Sequence, residues 1–127
     1  MRPVIERLVI EKLKRRDDFL RVAGTRNKYV TPGLVLQMRQ REEIEGSSPV
    51  RIGFTATRKL GSAVIRNRAR RRLREAARAV LPVAGRPGCD YVLIARAGTL
   101  TRPYPALLGD LKAALAALAP KAQETKA

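Results

Sequence analysis

The chain of 127 residues contains no histidine and no tryptophan, a single cysteine (Cys89), and only 11 acidic residues against 27 lysines and arginines. Each shortage removes a class of function. Without histidine there is no imidazole to act as general base, to pair with a nucleophile or to ligate a metal. One cysteine makes neither an intramolecular disulfide nor a cysteine-rich zinc site, and its solitude suits a reducing compartment. Aromatic side chains are 4% of the chain, so aliphatic residues and alanine must fill the core. No stretch approaches the roughly 18 consecutive apolar residues that span a bilayer. Met1 to Arg7 lacks the unbroken apolar run of a secretory signal. The chain reads as soluble and cytoplasmic.

What is present is a hydrophobic fraction of 45%, enough for a modest core, and a net charge of +16. The length fits one domain, and a charge of that size on so small a domain attracts polyanions. The charge is unevenly spread. Residues 31–57 balance three basic against three acidic groups, whereas residues 58–78 hold nine basic groups and one acid. Half of the excess therefore lies in a short segment that can form a single binding face.

Local patterns predict the elements. A short helix is expected near Asp18–Val22, with Asp17 and Asp18 capping its first turn and Gly24 ending it. Tyr29 to Arg41 reads as strand, interrupted by Pro32-Gly33. Glu42 to Pro49 reads as a polar turn in which Glu42, Glu43 and Glu45 are solvated. Val50 to Thr57 alternates apolar with other residues, the period of a half-buried strand. From residue 63 the period changes: Ile65, Ala69, Leu73, Ala76, Ala77 and Val80 fall on one arc of a helix that Pro82 is expected to stop. Tyr91-Val92-Leu93-Ile94 fits a buried strand within Asp90–Ala95. A loop with Pro103 and Pro105 leads to a final helix over Leu107–Ala119, and the tail from Pro120 is expected to fray. The order implies an α+β fold, a two-layer α/β sandwich.

The basic helix is the chemical centre. Arg66, Arg70, Arg74 and Arg78 recur at four-residue steps, with Arg68, Arg71 and Arg72 beside them and only Glu75 to oppose them. Like charges at that spacing destabilise an isolated helix by about 0.2–0.5 kcal/mol per pair. A solvated face normally mixes signs, so a bound anion is the better account. Guanidinium groups bind phosphate oxygens bidentately, which suits tracking of a nucleic-acid backbone. Asn67 is placed to bond a base edge, a ribose hydroxyl or its own helix. The preceding turn, Thr57-Arg58-Lys59-Leu60-Gly61-Ser62, offers Ser62 as an N-cap and a helix start whose N–H groups suit phosphate.

The run Gly53-Phe54-Thr55-Ala56-Thr57-Arg58-Lys59-Leu60-Gly61-Ser62-Ala63-Val64-Ile65-Arg66-Asn67-Arg68, continued by Arg70-Arg71-Arg72-Leu73-Arg74-Glu75, resembles the signature of the bacterial ribonuclease P protein subunit. That signature is a strand ending in Ser/Thr-Lys-Lys-x-Gly, then Ala-Val and Arg-Asn-Arg on a helix. Leu13-Lys14-Arg15-Arg16-Asp17-Asp18-Phe19 and Asp90-Tyr91-Val92-Leu93-Ile94-Ala95-Arg96 resemble its flanking segments. The resemblance runs from about Leu13 to Leu118, within one domain taken as residues 1–127 with short tails.

The resemblance implies an αβββαβα order with a central sheet and an unusual left-handed crossover around the long helix, against the common right-handed rule. It implies a protein that joins a catalytic RNA, the complex removing the 5′ leader of precursor tRNA. The RNA carries out hydrolysis with Mg²⁺ that it mainly holds itself, so the protein supplies no catalytic residue, metal ligand or organic cofactor. By position, Arg58, Lys59, Arg66, Asn67, Arg68, Arg70, Arg71 and Arg74 match residues facing the catalytic RNA. Phe19, Thr55 and Thr57 match the leader-binding cleft between the first helix and the sheet. Phe19 is equally readable as a core residue of that helix. Ala23 and Gln37 depart from the family pattern where aromatics are common, Ser62 replaces an Asn and Arg58 a Lys. The departures at Ala23 and Gln37 concern leader stacking, not the basic helix.

Other classes fit less well. A ribosomal-type rRNA-binding protein shares the composition and remains the alternative. A DNA reader would need varied base-contacting side chains on its exposed helix face rather than seven arginines within 66–78, so no DNA partner is expected. A protein-only nuclease would need a general base or a carboxylate cluster. A membrane-surface helix would need a broader apolar face than Ile65, Leu73 and Val80 provide.

Overall fold

In the computed structural model, which describes residues 10–41 and 49–118, a mixed five-stranded sheet carries helices on both faces. The chain enters through a short strand, β1 (Ile10–Lys12), then forms α1 (Arg16–Gly24), β2 (Lys28–Val30), β3 (Leu34–Gln40) and β4 (Val50–Thr55). A 3-10 turn (Arg58–Leu60) leads into the long helix α2 (Ala63–Ala84), followed by β5 (Cys89–Ala95), α3 (Ala97–Thr101) and α4 (Tyr104–Ala117). The strand order is β1-β4-β5-β3-β2. β1, β4 and β5 are parallel; β3 is antiparallel to β5, and β2 to β3. Pro32-Gly33 thus turns a hairpin instead of interrupting one strand. β4 and β5 are parallel neighbours, so α2 is the crossover between them.

The main core lies between the sheet and the α2/α4 layer. Leu36, Met38, Ile52, Tyr91 and Leu93 meet Leu73, Ala77, Leu81, Leu107 and Leu111 there. β5 is central, with most of its residues buried on both faces, which accounts for its unbroken apolar run. α1 covers the other face through a smaller cluster of Leu13, Val22 and Val92, with Phe19 and Ile94 packed on it. Cys89 is buried, and that burial pushes its thiol above the ordinary value, so it is a packing residue rather than a nucleophile.

Several expectations need correcting. β1 and α3 were absent from the sequence reading: β1 is three residues long, and α3 is a single helical turn closed where the Arg96 N–H donates to Thr99 Oγ1. β4 ends at Thr55, and Thr57 lies beyond it at the start of the 3-10 turn. Pro82 does not stop α2, which continues to Ala84. A proline so close to the end forfeits one helical hydrogen bond, and the last turn still closes through the Gly85 N–H to Leu81 O, 2.9 Å. α4 starts at Tyr104, with Pro105 accommodated in its first turn, where an N–H is dispensable. Asp17 and Asp18 do lie in the first turn of α1, at the positive end of its dipole, but neither makes a capping bond. Asp18 is instead buried. The acidic turn at 42–48 and the tail from residue 119 lie outside the described residues.

Candidate nucleic-acid interface

The strand–turn–helix junction is built as its sequence suggests. Gly61 adopts φ +146°, a conformation that side chains disfavour, and a Cβ there would come within 3.0 Å of Ile65 Cδ1. Ser62 caps α2 by accepting from the Ile65 N–H at 3.3 Å. Arg58 and Lys59 are exposed on the 3-10 turn directly ahead of that helix start. α2 then sets its alanines and leucine inward, burying Ala69, Leu73, Ala76, Ala77, Val80 and Leu81. Ile65, assigned to that arc by its spacing, stays on the exposed side because it precedes the packed part of the helix.

The arginines divide by face. Arg68, Arg71 and Arg74 are exposed, and Arg66 and Arg70 are half-buried. The Arg66 Nε is buried with no hydrogen-bond partner among the described residues. Asn67 is exposed, and its Oδ1 accepts from Arg70 at 3.1 Å, a contact within its own helix. The Arg74 guanidinium lies over the Phe54 ring, 5.7 Å from its centroid, a cation–π geometry. Arg72 belongs to the fold: its Nη1 donates to Thr99 O at 2.8 Å, tying α2 to α3.

α1 brings the second part of the site. Phe19 is half-buried against the Leu13–Val22–Val92 cluster, so it is partly core, yet it also lines an open cavity of about 190 Å³. That cavity is bounded by Lys12, Leu13, Gly53, Phe54, Arg70 and Arg74, and it wraps around the edge of β4 where β1 ends. Phe19 is thereby brought beside two of the basic residues of α2. Thr55 shares the α1 face of β4 with Arg51 and Gly53, whereas Thr57 is exposed outside the strand. Lys12, Leu13 and Gly53 were missed as site residues. Gly53 carried a signal, since a glycine inside an alternating strand marks a close approach.

The charged group that sequence reasoning missed entirely lies beside α1. Asp90 is fully buried and accepts from Arg51 Nε and Nη2, both at 2.9 Å, from Arg39 Nη1 at 3.3 Å, and from Arg41. Burial alone would raise its carboxyl, but the hydrogen bonds from Arg51 and Arg41 outweigh it and hold the group below its ordinary value. Arg51 also reaches Asp18 at 3.6 Å, and Arg21 pairs with Asp18 at 2.9 Å. Among the described residues no three His, Cys, Asp or Glu side chains gather as a metal-ligand set. No helix among them is long and apolar enough to cross a membrane.

A family model described as Ribonuclease P matches residues 10–119. The ribonuclease P protein component of Caulobacter vibrioides is 54% identical over 112 residues, covering 88% of this chain and 73% of the relative. That of Paramagnetospirillum magneticum is 51% identical over 108 residues, covering 84% and 80%. Among solved structures, the RNase P protein from Thermotoga maritima superposes with a TM-score of 0.66 at 26% identity, covering 85% of this chain and 94% of that one. The Staphylococcus aureus RNase P protein shares the fold, with a TM-score of 0.67 at 24% identity over 84% and 93%. With the match extending from β1 to the end of α4 and relatives at half identity, the chain belongs to the ribonuclease P protein family.

Proposed function

We propose that this chain is the protein subunit of ribonuclease P, that it binds the catalytic RNA through α2 and its preceding turn, and that it receives the 5′ leader of precursor tRNA beside α1. The carrying observation is the arginine face of α2, opposed within that helix only by Glu75, with Phe19 brought next to it across one open cavity. Arg58, Lys59, Arg66, Arg68, Arg70, Arg71 and Arg74 supply phosphate contacts, and Asn67 a polar contact among them. Phe19 offers a ring on which an unstacked leader base rests, an interaction worth about 1–3 kcal/mol per base. Thr55 is the hydroxyl nearest that path on the strand; Thr57 serves at the turn.

In this reading the RNA performs the hydrolysis, in the cytoplasm. Mg²⁺ belongs to RNA phosphates, and none of the described residues is assigned to it. A ribosomal-type rRNA-binding role is the alternative, and the family match argues against it.

The test mixes the purified protein with a catalytic RNA and precursor tRNA at limiting Mg²⁺. Enhanced leader removal is expected from the mixture and none from the protein alone; cleavage by protein alone refutes the division of labour. Arg66→Ala with Arg68→Ala is expected to weaken binding to the catalytic RNA while circular dichroism stays native. Unchanged affinity sinks the assignment of α2.

A further inference from the structure

Phe19 stands where it does because the sheet has a gap beneath it. A Cβ placed on Gly53 would collide with Phe19 Cζ and Cε2, so the tip of the ring occupies the space an alanine would fill. Such contact requires α1 to be held at one roll angle. α1 has nine residues, too few to be stable alone, and buries one apolar side chain completely, Val22. Val22 is thus the one apolar side chain by which the helix is sunk completely into the protein. Phe19, three residues earlier, lies on one flank of it, and Asp18, four residues earlier, on the other.

The Asp18 flank is fastened by charge. Asp18 is 7% exposed, although it is an acid on a short surface helix. Its Oδ1 pairs with Arg21 at 2.9 Å and with Arg51 Nη2 at 3.6 Å. Arg51 precedes Gly53 by two residues on the same face of β4 and is immobilised by its two hydrogen bonds to the buried Asp90. The strand that provides the gap therefore also provides the clamp.

We propose that Asp18, through Arg51 and Asp90, is a positioning residue for leader recognition: it fixes the roll of α1 so that Phe19 sits on Gly53 and presents its free edge to the cavity it shares with Arg70 and Arg74. This rests on the reading of Phe19 as a leader contact. Without the clamp, α1 rolls about Val22 and the ring leaves its seat. The fold and the basic face of α2 persist, because α2 is anchored in the main core, on the face of the sheet opposite α1.

The test uses the reconstituted holoenzyme and compares its affinity for precursor tRNA with that for mature tRNA, so that their ratio isolates the leader. Asp18→Asn is expected to lower that ratio by about fivefold or more, the lower end of a stacking contact, without changing affinity for mature tRNA or for the catalytic RNA. Phe19→Ala is expected to lower it similarly, and adding Asp18→Asn to Phe19→Ala to lower it no further. If Phe19→Ala leaves the ratio unchanged, the leader reading itself fails, and the proposal with it. If Phe19→Ala lowers the ratio but Asp18→Asn does not, or costs as much in the Phe19→Ala background as alone, only the positioning role is overturned. A direct readout comes from 4-fluorophenylalanine, since Phe19 and Phe54 are the two phenylalanines. Asp18→Asn is expected to move the Phe19 ¹⁹F resonance toward its solvent-exposed position and leave that of Phe54 in place. An unmoved Phe19 resonance refutes the proposal.

Discussion

Replacing Asp90 by asparagine removes the carboxylate on which Arg39, Arg41 and Arg51 converge. Breaking a buried pair by deleting one partner costs about 3–5 kcal/mol when the remaining charge is sealed in. Here the carboxylate is 0% exposed, but the three arginine side chains are 27%, 10% and 25% exposed, so water relieves part of their repulsion. Asparagine also keeps one accepting oxygen. The expected loss is thus about 2–4 kcal/mol, lower than for a sealed site. Urea denaturation is the suitable assay, since an ionic denaturant would screen the effect; the midpoint should fall with an unchanged slope. A pH series adds a second constraint. The native carboxyl is held below its ordinary 3.8, so its contribution is complete above that value and disappears as the pH falls through the folded-state pKa. The gap between native protein and variant should therefore be widest near neutrality and close below about pH 4. A loss under about 0.5 kcal/mol at neutral pH, in the range of an ordinary surface substitution, or a gap that widens in acid, would refute the ion-pair account.

Other perturbations probe the junction and the packing. Ser62→Ala removes the cap of α2 and should cost about 0.5–1 kcal/mol by thermal melting, since the capping bond is exposed and long. Gly98→Ala should cost about 1–3 kcal/mol in urea, because its new methyl would collide with the Pro32 carbonyl oxygen, which is backbone and cannot step aside. Affinity for the catalytic RNA should fall steeply with salt: seven phosphate contacts give a log–log slope of about −5 to −6. A flat dependence would remove the electrostatic basis of the interface.

The sequence made most of the architecture legible because the decisive signals were local. The switch from the alternation of Val50–Thr55 to the spacing of Ala69, Leu73, Ala76 and Ala77 marked β4 and α2, and the unbroken Tyr91–Ile94 run marked the central strand. β1 escaped because Ile10–Lys12 is a strand only by pairing with β4. The arginine stripe was readable since one helix carries all of it. The Asp90 group was not, because its members come from β3 and the residue just past it, from β4 and from β5, and meet only through register, which pairs Arg39 and Arg51 with Asp90. Phe19 was balanced between core and site because periodicity cannot report that a half-buried ring rests on a glycine one strand away.

The strand order also has a consequence for the birth of the protein. β3 and β4 are successive strands in the chain, yet they do not touch; β5 lies between them. As the chain is synthesised, β3, β4 and all of α2 emerge before the strand that joins them, and the main core cannot close until β5 and then α4, which supplies Leu107 and Leu111, are free. Non-local pairing of this kind is slow and comes late. Throughout that interval the most basic segment of the molecule is present without its completed scaffold, so a nearby RNA meets its charge before it meets its fold.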